Sequence, residues 1–208
     1  MASIAPPNQE PKWAAAISPP TIGPGGTASL ICSTAIAAPP STCAEVVLDT
    51  TAYSAWNRWI PEAPIQTPSK AAATLTPASL RHLAAKPEQM LLAGTEFTFQ
   101  VHMDPDAASY DNTELVVSLL EEFERDGRRG LRVAWKTRGD PWYLRAERTQ
   151  EFVENGEGGT DYTCFETFQG PAAWLVKLAV GAKLVQGFGL WMTGLKKAAE
   201  EKAQHAGH

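Results

Sequence analysis

The sequence predicts an α+β fold in which a curved antiparallel sheet wraps one long C-terminal helix, with an internal hydrophobic cavity between the two. Three features predict it. Residues 159–202 read as a strand running straight into a helix. From Gly94 onward the hydrophobic period is two, through successive hairpins. Two short helices implied early in the chain stand apart from those strands.

The closing unit is the most legible. Thr160 to Phe168 is rich in β-branched and aromatic residues, and Gln169-Gly170 ends it. Pro171 falls in the first turn of a helix, where its missing N–H costs nothing. Trp174, Leu178, Gly181, Val185, Phe188, Met192, Leu195 and Ala199 then share one helical stripe. A helix of about 30 residues is roughly 45 Å long at ~1.5 Å per residue, so a wide surface must lie beneath it.

Earlier in the chain, residues 1–25 hold six prolines and read as a loosely held tail with no fold of its own. Thr27 to Ala37 forms the first strand, stopped by Pro39-Pro40. Thr42 and Glu45 fit a capping box for a short helix through Leu48. A second helix carries Tyr53, Trp56 and Trp59 as far as Pro61. Residues 62–91 give one brief helix through Leu80 and Leu83, and one short strand. The meander follows: Phe97, Phe99, Val101 and Met103 alternate with polar residues, then come Glu114–Phe123, Leu131–Lys136, Tyr143–Glu154 and the closing strand.

Composition excludes several classes. The 208 residues are 44% hydrophobic and 20% charged, with a net charge of −5. That acidity and the lack of a Lys/Arg run argue against nucleic acid. Cys32, Cys43 and Cys164 show no paired spacing and read as buried thiols of a reducing, cytoplasmic protein, with no secretory signal at the N-terminus. Residues 172–195 are apolar enough to raise the question of a membrane span, but Lys177, Lys183 and four glycines favour a helix buried against protein over stable membrane insertion. No histidine, cysteine and carboxylate set has metal-ligand spacing, and no phosphate loop appears; neither metal nor cofactor is expected.

The order of elements resembles the START-like, or SRPBCC, superfamily with its Bet v 1-like helix-grip fold. Tyr53-Ser54-Ala55-Trp56-Asn57 is similar to the family's Y-x-x-W-N. Gly94-Thr95-Glu96-Phe97 resembles its glycine-led central strand. Gly158-Gly159-Thr160 with Glu166-Thr167-Phe168-Gln169-Gly170 resembles its GGT and E-x-F-x-G motifs. Gln150 stands where the family often has histidine. The resemblance covers roughly residues 27–202, makes 26–204 the ligand-binding domain, and implies a cavity for hydrophobic or polycyclic molecules. In that fold the helix bearing Trp56 and Asn57 borders the cavity mouth.

The last hairpin locates the chemistry. With Asn155–Gly159 as its loop, opposed residue numbers sum to 314, so Gln150 faces Cys164 and Arg148 faces Glu166. Alternation turns Arg148, Gln150, Phe152, Tyr162, Cys164 and Glu166 inward. Arg145, Glu147, Thr149 and Glu151 lie on a face that suits only solvent. An inward Arg148–Glu166 pair is either a satisfied structural ion pair or a polar clamp that orients a carbonyl. Arg148, Glu166, Gln150 and Tyr162 are the candidate catalytic residues. Tyr53, Trp56, Asn57, Phe97, Phe99, Trp135, Phe152, Cys164, Val185, Phe188 and Met192 are the candidate substrate contacts.

Three functions fit. One is a cofactor-independent cyclase for a polyketide- or terpenoid-like substrate, closing a ring by an aldol-type or a Diels-Alder-type reaction. Another is a non-catalytic carrier of a lipid or quinone. The third is an interaction domain with a collapsed cavity. In each case the chain is a monomer or homodimer, and in the first two its partner is a hydrophobic small molecule.

Overall fold

The structure is a computed structural model and describes residues 7–206; the start of the proline-rich segment, the N-terminal signal reading and His208 lie outside the described residues. Eight strands form one antiparallel sheet: β1 (Lys12–Ala14), β2 (Ala28–Ile36), β3 (Ile65–Thr67), β4 (Glu96–Val101), β5 (Asp111–Arg125), β6 (Arg128–Thr137), β7 (Arg145–Glu154) and β8 (Thr160–Gln169). Their order in space is β1-β2-β8-β7-β6-β5-β4-β3. After β2 come α1 (Pro40–Leu48) and α2 (Tyr53–Trp56), and α3 (Ala72–Leu75) follows β3. The last helix, α4 (Ala173–Ala206), packs against β2, α1 and α2. Element order and the grip of sheet on helix are as the sequence predicts.

Local differences have local causes. The capping box does not form, because α1 starts three residues earlier with Pro40 at N1 and Pro39 as its N-cap. Glu45 is thereby free to meet His82 and Lys202. Trp59 lies past the end of α2, whose C-cap is Asn57, and not on the helix.

Two expectations are overturned. The described part of residues 1–25 is no loose tail. Trp13 pairs with Leu30 to add β1 to the sheet edge. Beyond β1, the Ile17 N–H donates to Ser29 Oγ (2.8 Å) and Thr167 Oγ1 donates to the Ile17 carbonyl (2.8 Å). Thr21 and Ile22 donate to the Glu147 carboxylate, with Ile22 N at 2.8 Å from Oε2. This strap explains the second correction. The face carrying Glu147, Thr149 and Glu151 is not solvated; those residues are 0%, 0% and 1% exposed. Farther along that face, Glu151 is held by Arg125 and Arg132. Buried carboxylates need such partners, and here one receives backbone and hydroxyl donors and the other two guanidinium groups.

The glycines of α4 also have a role the sequence did not disclose. Three of the four make room for tryptophans. A Cβ on Gly187 would fall inside the Trp59 indole, one on Gly194 would strike the Trp56 backbone, and Gly181 lies against Trp13. Gly187→Ala should cost about 1–3 kcal/mol through overpacking. A urea midpoint unchanged from wild type would mean that the indole can move away freely.

Candidate functional site

Opposed residues on β7 and β8 build the floor of the site. Their register is Phe152↔Tyr162, Gln150↔Cys164 and Arg148↔Glu166, with Trp135 of β6 opposite Arg148. Arg148 donates to Glu166 Oε2 through Nη2 (2.7 Å) and Nε (3.1 Å). Its guanidinium also lies 4.5 Å from the Phe188 ring centre, 4.8 Å from Trp59 and 5.7 Å from Trp191. Such contacts favour a cation in a place where water is excluded.

Trp191 is the hub above that floor. Its indole N–H is shared between Gln150 Oε1 (3.0 Å) and Tyr162 Oη (3.1 Å), and the Tyr162 hydroxyl donates to Gln150 Oε1 (2.6 Å). Two donors converging on one oxygen fix the amide's orientation and turn Nε2 away from them. The Trp191 ring meets Trp56 at 5.1 Å, Tyr53 and Trp135 at 5.9 Å, and Phe99 at 6.1 Å. Phe97 packs edge-on to Phe99 at 4.9 Å.

These rings fill the space where an open cavity was expected. Tyr53, Phe97, Gln150 and Phe152 have no accessible surface at all, so no void of ligand size lies beside them. Above them α4 rests directly on Trp13, Trp59 and Trp56 through Gly181, Gly187 and Gly194.

The electrostatics run one way. Burial works against the Arg148 cation, but the Glu166 carboxylate more than offsets it and lifts the pKa above its ordinary value. Desolvation raises the Tyr53 and Tyr162 phenols, so both stay neutral. The Cys32 thiol is raised by its hydrogen bond with Cys164 and by burial. Burial pushes Cys43, which lies outside this cluster, up to about 11. The cluster thus offers a cation and neutral donors, and no activated nucleophile. Glu166 is its one carboxylate, and Arg148 engages it.

Four buried donors here have no acceptor among the described residues: Gln150 Nε2, Trp56 Nε1, Trp59 Nε1 and Asn57 Nδ2. Leaving a buried donor unmade costs on the order of 1–3 kcal/mol, and native interiors rarely tolerate several together. Asn57 does not border an open mouth; it is buried and its Oδ1 accepts the Ile60 N–H (2.9 Å).

Of the residues proposed from sequence, Arg148, Gln150, Tyr162, Cys164 and Glu166 share the floor, while Tyr53, Trp56, Phe99, Trp135 and Phe188 meet around Trp191 and Arg148. Phe152 sits beyond Tyr162, with ring centres 5.3 Å apart, and Phe97 stands behind Phe99. Met192 is buried, whereas Val185 is only half-buried at the edge of the core. Sequence reasoning missed Trp191 itself, the contact of Trp59 with Arg148, and Cys32 directly opposite Cys164. The signal for Trp191 was present: Leu184, Gly187 and Trp191 run at helical spacing into Leu195, beside the Val185, Phe188 and Met192 row.

No family model matches the chain, and no curated protein matches it in sequence. Solved structures do match in three dimensions. A hypothetical protein from Helicobacter pylori is 14% identical with a TM-score of 0.53, over 82% of this chain and 84% of its own. Human STARD10 is 12% identical with a TM-score of 0.52, over 87% of this chain and 68% of its own. The chain has the START-like helix-grip fold. A di-domain ARO/CYC protein, BexL from the BE-7585A biosynthetic pathway, is 14% identical with a TM-score of 0.50, over 84% of this chain and 49% of its own. At such identities the likeness is one of fold alone.

Proposed function

We propose that the protein binds an oxygen-bearing hydrophobic small molecule between α4 and the concave face of the sheet, in contact with Arg148, Gln150 and Tyr162. The observation that carries this reading is the group of orphaned donors, Gln150 Nε2, Trp56 Nε1, Trp59 Nε1 and Asn57 Nδ2, set among aromatic rings. A flat, apolar ligand bearing several carbonyl or hydroxyl oxygens would satisfy them and stack on the rings; a plain acyl chain would not. Entry requires the Trp59 and Trp191 rings to swing aside. Three glycines in contact with tryptophans, each weaker in a helix than alanine by ~1 kcal/mol, make α4 easier to deform.

Ring closure of a polyketide- or terpenoid-like substrate is the reaction such a donor set favours. Arg148, Gln150 and Tyr162 polarise a carbonyl, and the closed interior holds the chain in its reactive conformer. A Diels-Alder-type closure suits the site best: two σ bonds form from two π bonds, and no proton moves. An aldol-type closure would need Glu166 to leave Arg148 and act as base. The likeness to the di-domain ARO/CYC protein adds support.

Titrating oxygenated polycyclic compounds and fatty acids, followed by tryptophan fluorescence, tests the binding. The polycyclic compounds should bind, and Gln150→Leu should weaken them at least about tenfold, the value of one good hydrogen bond. Preference for fatty acids, or equal affinity in Gln150→Leu, would overturn the reading. Incubation with linear precursors, scored for a product of unchanged mass, separates turnover from binding.

A further inference from the structure

The first half of α4 is turned inside out. A helix that covers a sheet should bury its apolar face and present a polar one. Trp174 and Leu178, expected in the buried stripe, are instead 57% and 76% exposed, and Leu175 is 47% exposed. Ala179 and Ala182 continue the same outward face. α4 is long and apolar enough to cross a membrane, yet only 33% of its most apolar window is buried. The patch extends onto the neighbouring loop. The Ala172 N–H donates to the Tyr143 carbonyl (2.9 Å), which places Trp142 and Tyr143, 74% and 53% exposed, beside the start of the helix.

Charge decides what covers this patch. At ~100° per residue, Lys177 and Lys183 fall on opposite flanks of the Trp174–Ala182 stripe. No aspartate or glutamate occurs from Thr167 to Ala199, in a chain whose net charge is −5. Asp140 in the adjoining loop is already bound to Arg145. A second copy docked through this helix face would therefore set lysine against lysine with no carboxylate between them. An anionic lipid surface complements both features: it takes tryptophan, tyrosine and leucine into the headgroup boundary and leaves the lysines at the phosphates.

We propose that the N-terminal half of α4 and the Trp142-Tyr143 loop dock the protein peripherally on anionic membranes. The C-terminal half of α4, with Phe188, Trp191, Met192, Leu195 and Ala199 buried, stays in the core. Docking is thus interfacial and does not span the bilayer.

The test is co-sedimentation of the full chain with phosphatidylcholine vesicles, with and without phosphatidylserine, alongside its molecular mass by analytical ultracentrifugation. The expected result is partition onto the phosphatidylserine vesicles with a monomeric mass in free solution. The Trp174→Ser/Leu178→Ser double variant, changed only at exposed positions, should lose about tenfold or more of that partition at unchanged stability. Lys177→Glu/Lys183→Glu should lose a similar factor on phosphatidylserine vesicles alone. Absence of partition onto either vesicle would overturn the proposal. So would a dimer that Trp174→Ser/Leu178→Ser dissociates, because the patch would then be a protein interface.

Discussion

Trp191→Ala is expected to cost about 3–5 kcal/mol of stability, the range for deleting a buried indole. Two losses combine. The first is packing: the ring touches Tyr53, Trp56, Phe99 and Trp135, and removing it leaves all four facing a void. The second is polar: Gln150 and Tyr162 lose the donor they share. The void, on the order of 150 Å³, is of the size that holds a benzene-like guest in an apolar interior. Added indole should therefore bind the variant and raise its urea midpoint with the logarithm of ligand concentration above Kd, while leaving wild type unaffected. Trp191→Phe keeps a ring in place and loses only the N–H, so it should fall between the two. It also serves where the alanine variant does not fold. If stability were unchanged in both variants, Trp191 would not be the keystone of the closed interior.

The same residue shows where sequence reasoning stops. The β7–β8 hairpin was readable to the residue, because the Asn155–Gly159 turn fixes the loop and alternation fixes the faces; Arg148 does stand opposite Glu166. The face of each strand was thus legible, but what lies over it was not. Glu147 and Glu151 look solvent-bound in isolation. They are buried because a proline-rich segment more than a hundred residues distant supplies Thr21 and Ile22, and because Arg125 and Arg132 reach across from β5 and β6. That segment has no hydrophobic period to announce it. The helix gave a related difficulty. Several stripes of α4 are apolar, so periodicity offered two rows, and only the sheet's geometry decides that Gly187 and Trp191 face inward. Residues Trp174 and Leu178 then face outward by default. Glycines were legible as weak points of the helix. Their partners, Trp13, Trp56 and Trp59, all come from distant segments, and no local rule could supply them.

The largest asymmetry concerns the ion pair. Glu166→Leu should cost about 3–5 kcal/mol, because it strands the Arg148 cation where burial already disfavours it. Arg148→Met should cost less. The Glu166 side chain is 15% exposed against 6% for Arg148, so a carboxylate left alone can draw in water, and Met can still lie against Trp59 and Phe188. The double variant Arg148→Met/Glu166→Leu should recover most of the loss, since hydrophobic residues of similar volume often replace a buried pair without penalty. Urea unfolding of the four proteins closes the cycle, with a coupling of at least ~2 kcal/mol expected. Near-additive losses would mean that the two groups do not depend on each other for burial. The recovered double variant then decides function. It is folded and closed but lacks the cation, so a ligand whose carbonyl lies against Arg148 should bind it more than about tenfold more weakly than wild type. Affinity and turnover equal to wild type would leave the pair as scaffolding and pass the recognition to Gln150, Tyr162 and the tryptophan N–H groups alone.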